Sequence, residues 1–271
     1  MFVLMTGVAI LSMARDVDRY LHRFIQVAKD IGERFGRYRL FICENDSTDG
    51  TRSLLNDYAS YDWVSVVSPG KLDARFKYKT HRLAYARQAL LQTLIDSEFD
   101  PAVVLTIDVE AAALDMKTIN EFITKSAECA DQWDGIFPLP NDGFKALRYG
   151  PYKKNLAELE ALTKSGEGEA WMDSYVASVK EDIHARAQQG LLMPVFSCFS
   201  GVALYKYEIY VTGKYSGANV FYSMIRDRSK RDHVSPEESE HVNMHRSLGS
   251  NVRLVVMPDV AYPMLLSWLT L

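Results

Sequence analysis

An apolar run at residues 103–107, Val-Val-Leu-Thr-Ile, is followed at once by Asp108-Val109-Glu110. Residues that are apolar on both faces are typical of a strand buried between two layers of helices. In an open α/β sheet, ligands bind just beyond the carboxyl ends of such strands. Side chains two positions apart on a strand share a face, so an extended chain would place both carboxylates side by side. The sequence predicts either a divalent-cation site at Asp108 and Glu110 or two solvated acids at a strand end.

Strands and helices alternate along the first half of the chain. Apolar stretches predict strands at residues 3–13, 38–43, 63–67 and 103–107, and helical spacing of apolar residues predicts helices between them. This alternation predicts an α/β fold with a mostly parallel central sheet flanked by helices, of the doubly wound, Rossmann-like type.

The second half is less regular. Predicted helices and strands alternate there with loops, and neither an internal repeat nor a clear linker separates two domains. We therefore predict a single domain over residues 1–271. Its predicted helices cover residues 116–130, 171–189 and 235–248, and its predicted strands lie within residues 135–140, 194–205 and 252–257.

Composition and charge restrict the classes of partner. A net charge of −4 over 271 residues does not favour nucleic acid. Three widely spaced cysteines are typical of reduced thiols rather than of disulfides or a zinc site. The apolar residues 1–11 lack a preceding basic region and are too short to span a bilayer. We predict no integral membrane segment and a cytoplasmic location.

A second polar segment follows the strand predicted at residues 38–43. Residues 44–51, Glu-Asn-Asp-Ser-Thr-Asp-Gly-Thr, can cap the next helix, and a well-formed turn is the plainer interpretation. A carboxylate at a strand's carboxyl end can also accept hydrogen bonds from a nucleobase or a ribose. Glu44 is the preferred residue for that role and Asp46 the second choice. Ala14 and Arg15, beyond the first strand, are predicted to line the same pocket.

Two arginines open the third predicted helix. Arg82 and Arg87 are five residues apart, so they do not share one helix face and at most one is expected to enter a cleft. Arg82 lies nearer the helix N-terminus, where anions are favoured, and is predicted to contact a phosphate. Arg87 is predicted to form a surface ion pair.

Several segments carry a resemblance to known families. The pattern of residues 44–51 resembles one found in many sugar-nucleotide glycosyltransferases of the GT-A fold. Short segments that follow in order between residues 8 and 263 are similar to motifs of the fungal capsular α-1,3-mannosyltransferase family. The sequence departs from that family's pattern at Gln88, Phe199 and Ser200, where the family has Asn, Trp and Asn. The matching segments are residues 82–91, 108–109, 141–148, 194–203, 239–245 and 255–262.

The resemblance implies a metal-dependent GT-A glycosyltransferase. It would move a hexose, by resemblance mannose from GDP-mannose with retention of configuration, onto a saccharide hydroxyl. Asp108, Glu110 and His245 would hold Mn²⁺ or Mg²⁺, although a helix-surface histidine is the plainer interpretation of His245. Residues 1–110 would form the nucleotide-sugar-binding half and residues 111–271 the acceptor-binding half.

The same resemblance gives roles to the remaining site residues. Glu240 and Asp142 would be catalytic carboxylates that take the acceptor proton or stabilise positive charge on the sugar. Arg148 would orient a carboxylate or contact phosphate, and Ser200 with Gly201 would shape the pocket through close backbone approach. From the residues alone, a helix-surface acid and a turn acid are the plainer interpretations of Glu240 and Asp142.

Alternatives remain open at this point. The donor can equally be a UDP-sugar, and a base at Glu240 would equally suit an inverting mechanism. A sugar nucleotidyltransferase would need a glycine-rich phosphate loop after the first strand, but residues 12–16 are Ser-Met-Ala-Arg-Asp. A non-catalytic nucleotide-sugar-binding module is disfavoured by the intact acids Asp108, Glu110 and Glu240.

Overall fold

A central mixed sheet organises the chain. The structure is a computed structural model that describes residues 6–114, 116–140, 181–219 and 236–262. Eight strands of these residues form one sheet. They are β1 (Val8–Ala14), β2 (Tyr38–Glu44), β3 (Val64–Val67), β4 (Val103–Ile107), β5 (Gly135–Pro140), β6 (Met193–Pro194), β7 (Val202–Lys206) and β8 (Leu254–Tyr262).

Helices lie on both faces of this sheet. In the described ranges, no helix is long and apolar enough to cross a membrane. The helices are α1 (Asp18–Phe35), α2 (Thr51–Tyr58), α3 (Leu72–Arg75), α4 (Lys79–Asp96), α5 (Val109–Leu114) and α6 (Met116–Glu128), then residues 181–189, a short helix Tyr207–Tyr210, and a helix Glu240–Ser247.

The strand order is β3-β2-β1-β4-β7-β5-β8-β6. The first four of these strands are parallel to one another. Strand β7 pairs antiparallel with both β4 and β5, and β6 pairs antiparallel with β8, while β5 and β8 are parallel. Only β6 and β7 of the described strands therefore run against the others, and the prediction of a mostly parallel α/β sheet flanked by helices is confirmed.

Both faces of the sheet are buried, as the apolar composition of the central strands predicts. Side chains alternate along a strand, so β1 places Val8 and Ile10 in the layer that contains α1 and α6. Ala9 and Leu11 enter the opposite layer, which contains α4 and the Glu240–Ser247 helix. Sequence patterning predicts such two-sided burial because helices must cover each face of a parallel sheet.

Two of the differences between predicted and observed element boundaries affect the candidate site residues. Strand β4 ends at Ile107 and α5 begins at Val109, because the following Glu-Ala-Ala-Ala-Leu residues are strong helix formers. The helix predicted over residues 235–248 begins only at Glu240. Glu237 instead forms a β-bridge with Ala218, which keeps the chain before the helix extended.

Side-chain bonds join the turns that follow β1 and β2. Asp16 accepts a hydrogen bond from the Thr48 backbone N–H at 2.7 Å. In the other direction, the Asp49 carboxylate accepts the N–H of Asp18 at 3.1 Å. The Thr51 hydroxyl accepts the N–H of Val17 at 2.8 Å. These bonds run in both directions between the two turns and fix both at the carboxyl edge of the sheet.

The absence of a side chain at Gly32 lets the ring of Tyr38 pack against α1. A Cβ atom added at Gly32 would lie 2.2 Å from Tyr38 Cγ and 2.8 Å from Tyr38 Cβ. These atoms lie near the backbone and cannot move aside by rotation of a flexible side-chain end. The missing side chain therefore lets the first residue of β2 pack directly on the helix.

We predict that Gly32→Ala destabilises the fold even though alanine is the better helix former. Alanine gains about 1 kcal/mol in helix propensity, but overpacking against Tyr38 costs about 1–3 kcal/mol, so a net loss of roughly 1 kcal/mol is expected. Urea denaturation provides the measurement. In a Tyr38→Gly background, which removes the three Tyr38 atoms nearest to the new Cβ, the same change should stabilise the chain, and destabilisation of equal size in both backgrounds would contradict the packing argument.

Candidate functional site

A buried arginine connects two carboxylates at the carboxyl edge of the sheet. Arg87 of α4 donates through Nη2 to Asp108 Oδ1 at 3.4 Å and through Nε to Glu240 Oε1 at 3.2 Å. Arg87 is 7% exposed and Glu240 is also 7% exposed. The prediction that Arg87 forms a surface ion pair is therefore wrong: Arg87 brings the end of β4 and the Glu240–Ser247 helix together.

The charges of this cluster influence one another strongly. Burial by itself would lower the pKa of Arg87, but Glu240 and Asp108 hold that pKa above its ordinary value, so the guanidinium stays charged. Burial raises the pKa of Asp108 to about 6 against the opposing effect of Arg87, and Glu110 adds to the rise. The carboxylates of Asp108 and Glu240 thus share one buried positive charge, the Arg87 guanidinium.

Ser200 and Gly201 lie directly beside Asp108. The Asp108 backbone N–H donates to the Gly201 carbonyl at 2.8 Å. Gly201 has φ +100°, and a Cβ atom there would be 3.4 Å from Asp108 Oδ2. A Cβ atom at position 201 would only touch the carboxylate oxygen that Arg87 does not contact, so the positive φ rather than a lack of space favours glycine there. The Ser200 hydroxyl is buried and has no hydrogen-bond partner among the described residues.

Glu110 lies on a helix and not on an extension of β4. Because α5 begins at Val109, the expected alignment of Asp108 and Glu110 on one strand face is wrong. Glu110 is nevertheless close enough to act on Asp108 electrostatically, and it also acts on Lys79 at the start of α4. Both predicted acids thus lie near the same edge, although not in the geometry that the sequence suggested.

His245 occupies a different environment from the predicted one. Its two ring nitrogens hydrogen-bond the Ser197 hydroxyl and the Tyr205 hydroxyl, each at 2.8 Å. Burial lowers the pKa of His245 to about 3, so the ring is neutral. Because two core hydroxyls already engage both nitrogens, the structure does not support His245 as a metal ligand.

His241 lies under the arginine bridge. Its ring stacks on Phe199 with centroids 3.6 Å apart, and the Arg87 guanidinium lies 5.1 Å above the same Phe199 ring. Burial, together with Arg87 and His245, lowers the pKa of His241 well below its ordinary value. The neutral ring is buried beside Glu240, with Nε2 3.9 Å from Glu240 Oε1, and neither ring nitrogen has a hydrogen-bond partner among the described residues. Nothing in the local sequence distinguished Phe199 or His241 for this role.

Arg82, the arginine preferred from the sequence, is engaged by other groups. It forms an ion pair with Asp73 at 2.9 Å and donates to the Phe76 carbonyl at 3.0 Å. Arg15 binds the same Asp73 with two hydrogen bonds of 3.0 and 2.6 Å. One acid of α3 therefore joins two of the predicted donor-binding arginines, and their contact with phosphate stays a prediction. Ala14 is buried at the end of β1.

Glu44 and Asp46 stabilise the turn after β2. Glu44 is 1% exposed and accepts hydrogen bonds from the Ser47 N–H and the Arg52 Nε, both at 3.0 Å. Asp46, with φ +57°, accepts the N–H of Leu72 at 3.0 Å. Both carboxylates therefore have partners in the fold, and direct contact of either with a nucleoside stays a prediction.

Asp142 and Arg148 lie outside the described residues.

In the described part of the chain, no three His, Cys, Asp or Glu side chains are grouped closely enough to hold a metal ion. Mg²⁺ commonly uses one or two protein carboxylates together with substrate phosphates, so Asp108 and Glu110 fit a cation that is shared with a ligand. The space beside Asp108 Oδ2 and the unpartnered Ser200 hydroxyl are consistent with such a ligand at this edge.

Known proteins match this chain in structure but not in sequence. No protein-family model and no curated protein matches the sequence. A mannosyltransferase from Pyrobaculum calidifontis, solved with GDP-Man and Mn²⁺, superposes with a TM-score of 0.51 at 13% identity, covering 94% of this chain and 56% of that protein. Staphylococcus aureus TarS gives a TM-score of 0.48 at 12% identity, with 95% and 59% covered.

Mycobacterium tuberculosis glucosyl-3-phosphoglycerate synthase gives a TM-score of 0.43 at 12% identity, covering 76% of this chain and 59% of that protein. The chain thus spans less than three fifths of the length of each of these proteins. Identities this low show similarity of fold alone. The superposition on the Pyrobaculum mannosyltransferase, together with the sheet described above, shows that this chain has the GT-A fold.

Proposed function

We propose that this chain is a metal-dependent glycosyltransferase that moves a hexose from a nucleotide diphosphate sugar onto a saccharide hydroxyl. The observation that carries the proposal is the pair of carboxylates, Asp108 and Glu240, which Arg87 holds at the carboxyl edge of a GT-A sheet. Ligands bind at that edge in open α/β folds. The sequence resemblance favours mannose and GDP as the donor, and a UDP-sugar is the alternative.

Asp108 is the proposed principal ligand of the cation, and Glu110 is the second. A divalent cation at these acids would neutralise charge on the departing nucleoside diphosphate. The proposed role of the protein is to hold Asp108 in place through Arg87 and the Gly201 carbonyl. The glycine at position 201 would leave room for the donor beside the free carboxylate oxygen.

Glu240 is the proposed catalytic carboxylate. It is buried at the start of its helix and tied to Arg87, so its position relative to Asp108 is fixed. A carboxylate so placed can take the proton of the acceptor hydroxyl or stabilise positive charge on the sugar. The two roles predict different kinetic results, because only the first requires an acceptor.

We predict that GDP-mannose with Mn²⁺ raises the melting temperature of the chain, and that UDP-glucose and UDP-N-acetylglucosamine have smaller effects. A ligand that binds only the folded state at 100 times its Kd stabilises by about 2.7 kcal/mol. In Asp108→Asn the Mn²⁺-dependent part of the shift should disappear. Asp100→Asn, at the opposite end of β4 and exposed, is the matched control. A full Mn²⁺-dependent shift in Asp108→Asn would contradict the proposed metal site.

For Glu240→Gln we predict a loss of sugar transfer of about 100-fold or more, the usual contribution of a general base or charge stabiliser. Donor hydrolysis without acceptor separates the two roles of Glu240. A base acting on the acceptor affects transfer only, whereas a charge stabiliser affects hydrolysis equally. Glu208→Gln, an exposed acid of the short helix after β7, is the control. Wild-type transfer by Glu240→Gln would exclude both roles.

We predict that Arg87→Met destabilises the fold by about 3–5 kcal/mol, because it leaves two carboxylates without their buried cation. Arg82→Met removes an ion pair of a more exposed arginine and should cost about 1 kcal/mol or less. Urea denaturation of both variants measures the difference. Adding Glu240→Gln to Arg87→Met should recover part of the loss, and equal costs for the two arginines would contradict the bridge.

A further inference from the structure

A shallow, open cleft lies at the opposite end of the sheet from the site described above. Its volume is about 330 Å³, and its lining comes from the amino ends of β2, β3 and β4 rather than from their carboxyl ends. Since β2 has seven residues and a strand rises roughly 3.3 Å per residue, the two ends are about 20 Å apart. The lining residues are Tyr38, Arg39, Asp62, Trp63, Ser97, Glu98 and Phe99.

Aromatic rings form one part of this lining. The rings of Tyr38 and Trp63 have centroids 5.3 Å apart, and Tyr61, outside the lining, stacks on Trp63 at 6.1 Å with 19° between the planes. Gly32 fixes the position of the Tyr38 ring. Phe99 is held by its turn, where its N–H donates to the Ser97 hydroxyl at 3.3 Å. The aromatic surface is thus built by packing before any ligand arrives.

Charged groups form the other part of the lining. Asp62 and Glu98 are exposed and Arg39 is half-buried. Among the residues that the structure describes, none of these three side chains forms a hydrogen bond or an ion pair. At the carboxyl edge, by contrast, Asp108 and Glu240 are paired with Arg87. The carboxylates of Asp62 and Glu98 and the guanidinium of Arg39 are therefore hydrogen-bonding groups that the other described residues do not engage.

The backbone of the cleft is also unusual at one position. Glu98 has φ +55°, a conformation that residues other than glycine rarely adopt. The other non-glycine residues with positive φ in the described chain are Asp16 and Asp46, and both lie in the turns at the carboxyl edge. The strained turn at Glu98 places this acid next to Phe99 at the mouth of the cleft.

From these observations we propose that the cleft is a second binding site for a neutral saccharide, separate from the donor site. Apolar C–H faces of a sugar ring pack on aromatic rings, while its hydroxyls require nearby donors and acceptors. Asp62 and Glu98 oppose an anionic ligand such as a phosphate, and Arg39 opposes a cationic one. A neutral glycan can pack its C–H faces on the aromatic rings and can form hydrogen bonds with charged groups of either sign.

The test is isothermal titration of the full chain with mannohexaose, cellohexaose and laminarihexaose, without nucleotide or metal. At least one of these neutral probes should bind. Trp63→Ala and Asp62→Ala should each weaken that binding about tenfold, since each removes a direct contact. Asp62 is exposed, so its variant remains informative if Trp63→Ala does not fold. Asp57→Ala, an exposed acid of α2 outside the lining, is the control.

Several results would overturn the proposal. One is the absence of binding by all three oligosaccharides, and another is binding that both cleft variants retain. The same titration is run with tetramethylammonium and with pyrophosphate. Binding of tetramethylammonium alone would show that the aromatic rings bind a cation, and binding of pyrophosphate alone would show that Arg39 binds an anion. Asp108→Asn should bind the neutral probe like the wild type. A chain that transfers sugar but binds no oligosaccharide would therefore contradict the cleft proposal and leave the proposed function intact.

Discussion

The guanidinium of Arg87 is the interaction on which the candidate site depends. It connects α4 and the end of β4, which are consecutive in the chain, with Glu240, which is 153 residues from Arg87. Burying a charge is costly unless it is paired, so the position of each carboxylate is coupled to the arginine and through it to the other carboxylate. The backbone bond from Asp108 to Gly201 adds the turn before β7 to the same unit.

The charge balance of this unit favours a further cation. Arg87 and nearby Lys79 supply two positive charges against the three carboxylates of Asp108, Glu240 and Glu110. The histidines beneath the bridge do not compensate, because burial lowers the pKa of His245 to about 3 and keeps His241 neutral as well. Burial is the main cause of the raised pKa of Asp108, and the neighbouring acids Glu110 and Glu240 add to the rise.

The sequence predicted what depends on local pattern and missed what depends on long-range pairing. Apolar runs and helical periodicity were enough for the parallel strands, for α1 and for the placement of Asp108 at a strand end. Glu110 was misplaced because we expected the chain to stay extended after residue 107, whereas the alanines that follow Glu110 favour a helix. The burial of Arg87 depends on Glu240, 153 residues away, and helix spacing alone contains no sign of that partner.

The carboxyl edge combines a rigid part with a part that ligands can exchange. Arg87 and Glu240 are both buried, so separating them would leave unpaired charge inside the protein. Arg15 and Asp73 each have side chains 41% exposed, and Arg52 is exposed beside Glu44. Pairs of that kind contribute little to stability, so under the proposed function a diphosphate would be able to replace the acid at Arg15 without loss of the fold. The buried bridge fixes the geometry of the carboxylates, while the exposed pairs would leave cations for the proposed donor.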